Sequence, residues 1–463
     1  MTTTFRHAVP VAPLAAESQR TPHQHTRSRK LTFWPLVVAT FFMVSGGTYG
    51  TEDIIGGAGF ARGIFVLALT PILWSLPTAL MIGELASAMP AEGGYYAWVR
   101  RAMGDFWGFQ EAWLSLIASI FDMAIYPTLF VAYLVRLFPW FGVGHRGVLV
   151  AAAMVVVCAA LNIAGIRVVA ETSLWLFVLL TAPFVIIVVL ALTKHGAFAA
   201  PATSASTAHV GIVGGILVSM WNYMGWDNAS TVAGEVHEPQ RTYPRAMFAA
   251  VTIVAISYIV PFAAMWMTGI SPTAFDTGSW TNIAEKLGGH WLSVAVVAGG
   301  MMSAFGMFTS LVMSYSRLPL AMAQDGLLPL VFARTTRRNG APWVAIIALA
   351  AAWLTCLGIG FERLVTLDIL LYGGGLMLEF VALTVLRITA PDLPRPYRVP
   401  GGIAGTIALA IPVVLLLGFS VVNGRGETVL GMNALVFGML LIVAGFAAYP
   451  VRIAFARKAA VEC

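Results

Sequence analysis

The sequence predicts an all-α membrane protein of twelve transmembrane helices, the first ten forming a five-plus-five inverted repeat. Three observations carry this. Of 463 residues, 59% are hydrophobic and 10% charged, with a mean hydropathy of +0.83, far from the roughly 25% charged content of soluble domains. Twelve apolar runs are each long enough, at about 20 residues, to cross ~30 Å of hydrocarbon. Two of them, the first and the sixth, are interrupted by glycine just ahead of an acid.

In chain order, residues 1–30 hold Arg6, Arg20, Arg27, Arg29 and Lys30 among Pro, Thr and His. That composition is too polar to fold and lacks the apolar core of a signal peptide, so a disordered cytoplasmic tail is expected. A core over 31–395 carries spans at 32–59, 63–89, 106–136, 147–166, 172–193, 209–235, 245–269, 289–320, 341–359 and 364–388. Residues 396–463 carry the last two, 402–422 and 428–451, and a short cytoplasmic C-terminus. With the N-terminus inside, most of the 27 Lys and Arg fall on inner segments, which places both termini in the cytoplasm and suits a multi-pass protein of the plasma membrane. The net charge of +6 then belongs to the lipid bilayer surface rather than to nucleic acid.

Enzymatic chemistry finds no footing. Cys158, Cys356 and Cys463 have no metal-ligand spacing, and the eight histidines sit in the tail, in loops or at span ends. No nucleophile and base pair or metal set emerges, so neither a catalytic group nor a bound cofactor is expected.

The interrupted spans are informative. The first contains "SGGTYGTEDIIGGAGF", with Gly46, Gly47 and Gly50 around Tyr49 and then Glu52 and Asp53. The sixth contains "MWNYMGWDNASTVAGEV", with Asn222, Tyr223 and Gly225 before Trp226 and Asp227. Matched broken helices five spans apart are what an inverted repeat predicts, and such breaks point to a transporter's central site. Non-helical backbone at that depth survives only where it lines protein or a water-filled cavity. A channel has no need of two symmetric breaks.

Acids at bilayer depth cost at least ~2.5 kcal/mol each and therefore face a partner or a cavity. Glu52, Asp53 and Asp227 fall in the first turn after their breaks, where they either cap the half-helix or meet a substrate. Asp122 lies midway along the third span with no base within a helical turn, so capping does not explain it. Tyr49, Tyr126, Trp221, Tyr223 and Trp226 fall at similar depth, and ring faces attract alkylammonium groups by ~0.5–2 kcal/mol. The candidate substrate-binding residues are therefore Gly46, Gly47, Tyr49, Gly50, Glu52, Asp53, Asp122, Tyr126, Asn222, Tyr223, Trp226 and Asp227, with Trp226 placed to close over a ligand. Several acids without a buried base suit a guest that is positive at more than one end, such as putrescine or spermidine.

Other polar groups have plainer expectations. Glu84, Glu235 and Asp325 lie near Arg100, Arg101, Arg241, Arg245 and Arg317 in the chain, so inner-gate ion pairs are expected there, with Glu111 in the same group. Asp368 and Glu379 in the tenth span are assigned to the outer and inner paths. Ser303, Thr309 and Ser310 in the eighth span carry oxygens that suit sodium, although helix packing accounts for them.

The sequence resembles the amino acid–polyamine–organocation superfamily along nearly its whole length. The resemblance is carried by "GELASAMPAEGGYYAWV" (83–99), "WNYMGWDNASTVAGEVHEPQRTYPRAM" (221–247) and "SRLPLAMAQDGLLP" (316–329), with "APW" (341–343) and "RPYRVPGG" (395–402). Within it, "SGGTYGTEDIIGGAGF", "FDMAIYPTLF" (121–130) and "WDNASTVAGEV" look most like the polyamine-uptake branch, close to the L-type amino acid transporters. The resemblance implies a LeuT-like fold, a substrate site between the first, third, sixth and eighth spans, and alternating access by rocking of one helical bundle. It also exposes two departures. Where amino acid carriers of the superfamily have a Gly-Ser-Gly-like loop for a substrate carboxylate, this chain has Tyr49-Gly50-Thr51-Glu52-Asp53. No Lys or Arg occurs between Arg167 and Lys194, whereas many proton-coupled members carry a lysine in the fifth span. The expected activity is secondary active transport of organic cations, polyamines first, driven by a proton gradient with Glu52, Asp53 or Asp122 exchanging the proton. A cationic or neutral amino acid permease is the alternative.

Overall fold

The computed structural model describes residues 31–91, 93–193, 211–423, 428–429 and 431–461. The expected tail, 1–30, lies outside them. The described chain is almost wholly helical, as its hydropathy requires: a backbone in hydrocarbon satisfies its polar groups only within helices or closed barrels.

The first expected span is two helices. Helix α1 (Phe33–Val44) is apolar throughout and stops where Ser45 turns extended, and α2 (Glu52–Ala58) begins with both acids in its first turn. Between them Gly50 adopts φ +80°, a conformation open to glycine at little cost. The second span, Phe60–Ala88, is α3 (Phe60–Thr70) and α4 (Leu76–Ala88) joined by a π-turn at Pro71–Ser75. Pro71 cannot donate to the preceding turn, so the ladder widens there. A short α5 (Tyr95–Met103) leads into α6 (Asp105–Leu137), followed by α7 (Arg146–Ala164) and α8 (Ile166–Thr193).

The sixth run repeats the pattern of the first. Helix α9 (Gly211–Asn222) ends, Gly225 turns left-handed with φ +86°, and a 3₁₀ segment continues over Trp226–Glu235. Then come α10 (Pro239–Trp266), α11 (Trp280–Gly288), α12 (His290–Gln324), α13 (Trp343–Leu354), α14 (Phe361–Thr389), α15 (Gly402–Asn423) and α16 (Ala434–Val461). Two expected boundaries shift. The ninth run stops being helical at Leu354, and the twelfth opens as a two-residue hairpin, Thr428–Val429 against Met432–Asn433, before α16 starts.

Among the described residues eight helices are long and apolar enough to cross a membrane, and Phe33–Val44, Trp343–Leu354 and Ala434–Pro450 are shorter apolar helices. The two broken spans lie side by side: α1 packs on the 3₁₀ segment and α2 on α9. Around them, α6 is gripped by α12 and α14. The outer surface is apolar, with Leu149, Trp175 and Leu415 exposed by 68%, 72% and 68%, a face that only lipid covers without penalty.

Candidate functional site

Both breaks are lined by side chains that take up the backbone groups the helices leave unpaired. At the first, the Ser303 hydroxyl donates to the Gly46 carbonyl at 2.6 Å, Ser45 Oγ accepts the Gly47 amide at 3.0 Å, and Asn222 Nδ2 reaches the Gly50 carbonyl at 3.4 Å. At the second, the Tyr258 hydroxyl donates to the Asn222 carbonyl at 2.8 Å, and Gly225 donates its amide to Tyr372 Oη at 3.2 Å. Thr309 hydrogen-bonds the Phe305 carbonyl of its own helix at 2.7 Å. Ser303 thus bonds across to the first break and Thr309 within its own helix.

Next to the second break stands a column of acids. Helix α6 presents Glu111, Ser115, Asp122 and Tyr126, and α14 presents Asp368, Tyr372, Gly375 and Glu379. Residues 4, 7 or 11 apart share one helical face, so each set lines one side. The two helices meet antiparallel. A Cβ placed on Gly375 would lie 3.0 Å from Glu111 Oε1, one turn from Glu379, while Asp122 and Asp368 interact electrostatically at the other level. Asp227, just past the break, interacts with Glu111, Asp122, Asp368 and Glu379 and accepts the Tyr372 hydroxyl at 2.6 Å.

These five carboxylates are between 0% and 6% exposed. None makes an ion pair among the described residues, as the ion pairs present involve other groups. Hydroxyls and one indole stand in. Asp122 accepts Tyr126 Oη at 2.7 Å, Tyr315 Oη at 3.2 Å and Trp221 Nε1 at 3.4 Å, and Ser115 donates to Glu111 at 3.1 Å. Oε2 of Glu111, Oδ2 of Asp368 and Oε2 of Glu379 have no partner among the described residues. Glu111 therefore departs from the expectation that it joins the gate ion pairs: it faces α14 at Gly375, and the buried base of that helix, Arg387, is taken by Glu84. Aromatic rings cap the Asp122 end, Tyr126 lying 6.0 Å from Trp221 and Trp221 edge-on to Phe361 at 5.5 Å.

Glu52 and Asp53 turn the other way. Asp53 accepts the amide and hydroxyl of Thr277 at 3.1 Å and 2.6 Å, and Glu52 accepts the Gly278 amide at 3.1 Å and the Tyr133 hydroxyl. Arg136 joins this clasp from α6, bonding the Thr277 carbonyl at 2.6 Å and Asp276 at 3.1 Å. The clasp ties α2 to the segment ahead of α11 and stands apart from the column. Tyr49 packs edge-on against Tyr133 and Phe184, and Tyr223 donates to the Leu67 carbonyl at 2.9 Å. Trp226 is fully buried, its indole N–H held by the Tyr223 carbonyl at 2.7 Å. The structure thus brings Asp122, Tyr126 and Asp227 together, and sets Glu52, Asp53, Tyr49 and Tyr223 at other contacts.

The expected gate pairs form with altered partners. Arg100 binds Asp105 and Asp325, each at 2.7 Å, and Tyr96 donates to Asp325 at 2.9 Å. Glu84 pairs not with Arg100 or Arg101 but with Arg387, whose Nε is at 2.9 Å, and Arg395 at 3.3 Å, and it also accepts the Val399 amide at 2.7 Å. The reason is topological: the last turn of α14, which carries Arg387, packs beside α4, and the chain that follows brings in Arg395 and Val399. Burial lowers the Arg395 guanidinium from its ordinary value, with the Glu84 carboxylate pulling it back up. Arg101 is exposed and makes no ion pair among the described residues; Arg317 donates to the Met313 carbonyl at 2.7 Å. The side chain of Glu235 lies outside those described.

Comparison with known proteins gives the family. The family model described as amino acid permease matches residues 37–446. The chain belongs to the amino acid permease family. This permease is 34% identical to the polyamine transporter RMV1 of Arabidopsis thaliana over 89% of its own length and 84% of that protein. It is also 34% identical to the polyamine transporter PUT1 of Oryza sativa subsp. japonica, over 89% and 78% of the two chains. An uncharacterized transporter of Mycobacterium tuberculosis, Rv1999c, is 28% identical over 92% and 91%. The permease is a multi-pass membrane transporter. Tyr133, Tyr315 and Tyr372, which complete its acid sites, carry no signal in the sequence short of the 11-residue spacing that aligns Glu111 with Asp122 and Asp368 with Glu379.

Proposed function

We propose that this permease is a secondary transporter of polyamines in the plasma membrane, with both termini cytoplasmic. The observation that carries the reading is the baseless acid column beside a broken helix: buried carboxylates without a buried cation suit a guest that brings two or more positive charges. The names of its plant relatives agree. Twelve spans follow if the eight long helices are joined by the two broken ones, α13 and α16. The antiparallel packing of α1 on the 3₁₀ segment and of α2 on α9 supports an inverted repeat, and rocking about these breaks would expose the column to each side in turn.

A zwitterionic amino acid is disfavoured by a specific feature. Its carboxylate would need free amides at a break, yet the Gly225 amide is bonded to Tyr372, and Glu52 and Asp227 place a carboxylate in the first turn after each break. For coupling, we propose proton exchange at the column, where an acid relieved of its ammonium guest takes up a proton. The test is ligand-induced thermal stabilisation of the purified protein. Spermidine or putrescine should raise the melting temperature and leucine should not; the reverse ranking removes the polyamine reading.

A further inference from the structure

The geometry points to a second ammonium site, formed by Glu111 and Glu379 about three helical turns from the Asp122 and Asp368 pair, so that one long polyamine is held at both ends and by Asp227 between them. This rests on the polyamine reading and adds residues and a length to it.

The spacing is fixed by the backbone. Glu111 and Asp122 are 11 residues apart on α6, and Asp368 and Glu379 are 11 apart on α14. Eleven residues turn a helix through three turns and a small remainder, so both acids of each helix face the same way, ~16 Å apart along the axis. Antiparallel packing puts Glu111 opposite Glu379, through the gap that Gly375 leaves, and Asp122 opposite Asp368.

The far pair is built for an ion that the chain itself does not supply. Both side chains are at least nine-tenths buried, and each keeps one carboxylate oxygen without a partner among the described residues. Tyr95 of α5 lies close enough to sense Glu111, Asp227 and Glu379, and its buried hydroxyl also has no hydrogen-bond partner among the described residues. Gly375 matters because a methyl group there would meet Glu111 Oε1 at 3.0 Å.

A chain guest of matching length bridges the two levels. At about 1.2 Å per bond, the terminal nitrogens of extended putrescine, spermidine and spermine are ~6, ~11 and ~16 Å apart. A diamine therefore occupies one level at a time, whereas spermine reaches from Asp122 to Glu379 with inner ammonium groups passing Asp227.

Uptake of labelled putrescine, spermidine and spermine into proteoliposomes tests this, with wild type, Glu379→Gln and Gly375→Ala compared. Glu379→Gln should raise the spermine KM tenfold or more and the putrescine KM by a clearly smaller factor, and Gly375→Ala should change the ratio in the same direction. Equal factors for all three amines would overturn the second site. Should the variants fail to fold, the wild-type protein still decides through thermal shifts across α,ω-diamines of increasing length and spermine. Stabilisation that climbs with length to the span of spermine supports the proposal, and stabilisation that is flat or falls with length overturns it. If no amine stabilises or is taken up by wild type, the polyamine reading itself fails, a result distinct from amines acting without length dependence.

Discussion

Tyr372 joins the second helix break to the acid column, donating its hydroxyl to Asp227 at 2.6 Å while accepting the Gly225 amide at 3.2 Å. One phenol thus fixes the shape of the break and the position of the acid that follows it. Phenylalanine at this position leaves a buried carboxylate oxygen and a buried amide without their partner, at a cost of ~1–3 kcal/mol. Tyr372→Phe should lower the melting temperature in detergent and weaken uptake; unchanged values for both would show that the hydroxyl is dispensable.

Glu84 and Arg387 form a buried pair whose side chains are 0% and 1% exposed. Removing one partner of such a pair costs ~3–5 kcal/mol because the remaining charge stays in a dry site. Glu84→Gln and Arg387→Met should each lower thermal stability sharply, read by unfolding of the purified protein. A midpoint close to wild type in either would mean that the pair opens to water.

Much of the architecture was legible because hydrocarbon leaves the chain few options. The apolar runs became helices, and both breaks occur at the glycines that marked them, Gly50 and Gly225, because only glycine takes φ near +80° without strain. The acids were also visible, but their grouping was not. Glu52 and Asp53 sit beside a break and read as substrate ligands, yet their partners, Thr277 and Gly278, lie more than 200 residues away in sequence. Glu111 read as a gate residue, and Asp368 and Glu379 as lining the outer and inner paths, for the same reason. Which acid faces which is decided by helix rotation, and the 11-residue spacing encodes it only once α6 and α14 are known to be neighbours. Glu84 found Arg387 rather than Arg100 because the last turn of α14 packs beside α4, and the fold-back after α14 adds Arg395 and Val399.

Asp122 gathers three donors without a cation. An ammonium guest there makes a charge-assisted contact worth ~1.5–3 kcal/mol. Asp122→Asn should raise the KM for polyamine uptake by roughly ten- to a hundredfold, measured in proteoliposomes at matched protein density. Wild-type uptake would reduce Asp122 to a packing role.

The clasp of Asp53 on Thr277 connects a half-helix to the segment ahead of α11, so it biases conformation rather than choice of guest. Thr277→Val removes the 2.6 Å hydroxyl contact and should shift the equilibrium by about 1 kcal/mol, altering apparent affinity about fivefold in the same direction for every transported amine. A change confined to one amine would instead place Thr277 at the guest.

The baseless acid column is the central claim, and competition for labelled spermidine uptake in proteoliposomes addresses it most directly, with spermine, putrescine, arginine and leucine as competitors. Polyamines should displace the label, arginine weakly and leucine not at all. Displacement by leucine with no effect of spermine or putrescine would contradict a chamber built for polyvalent cations.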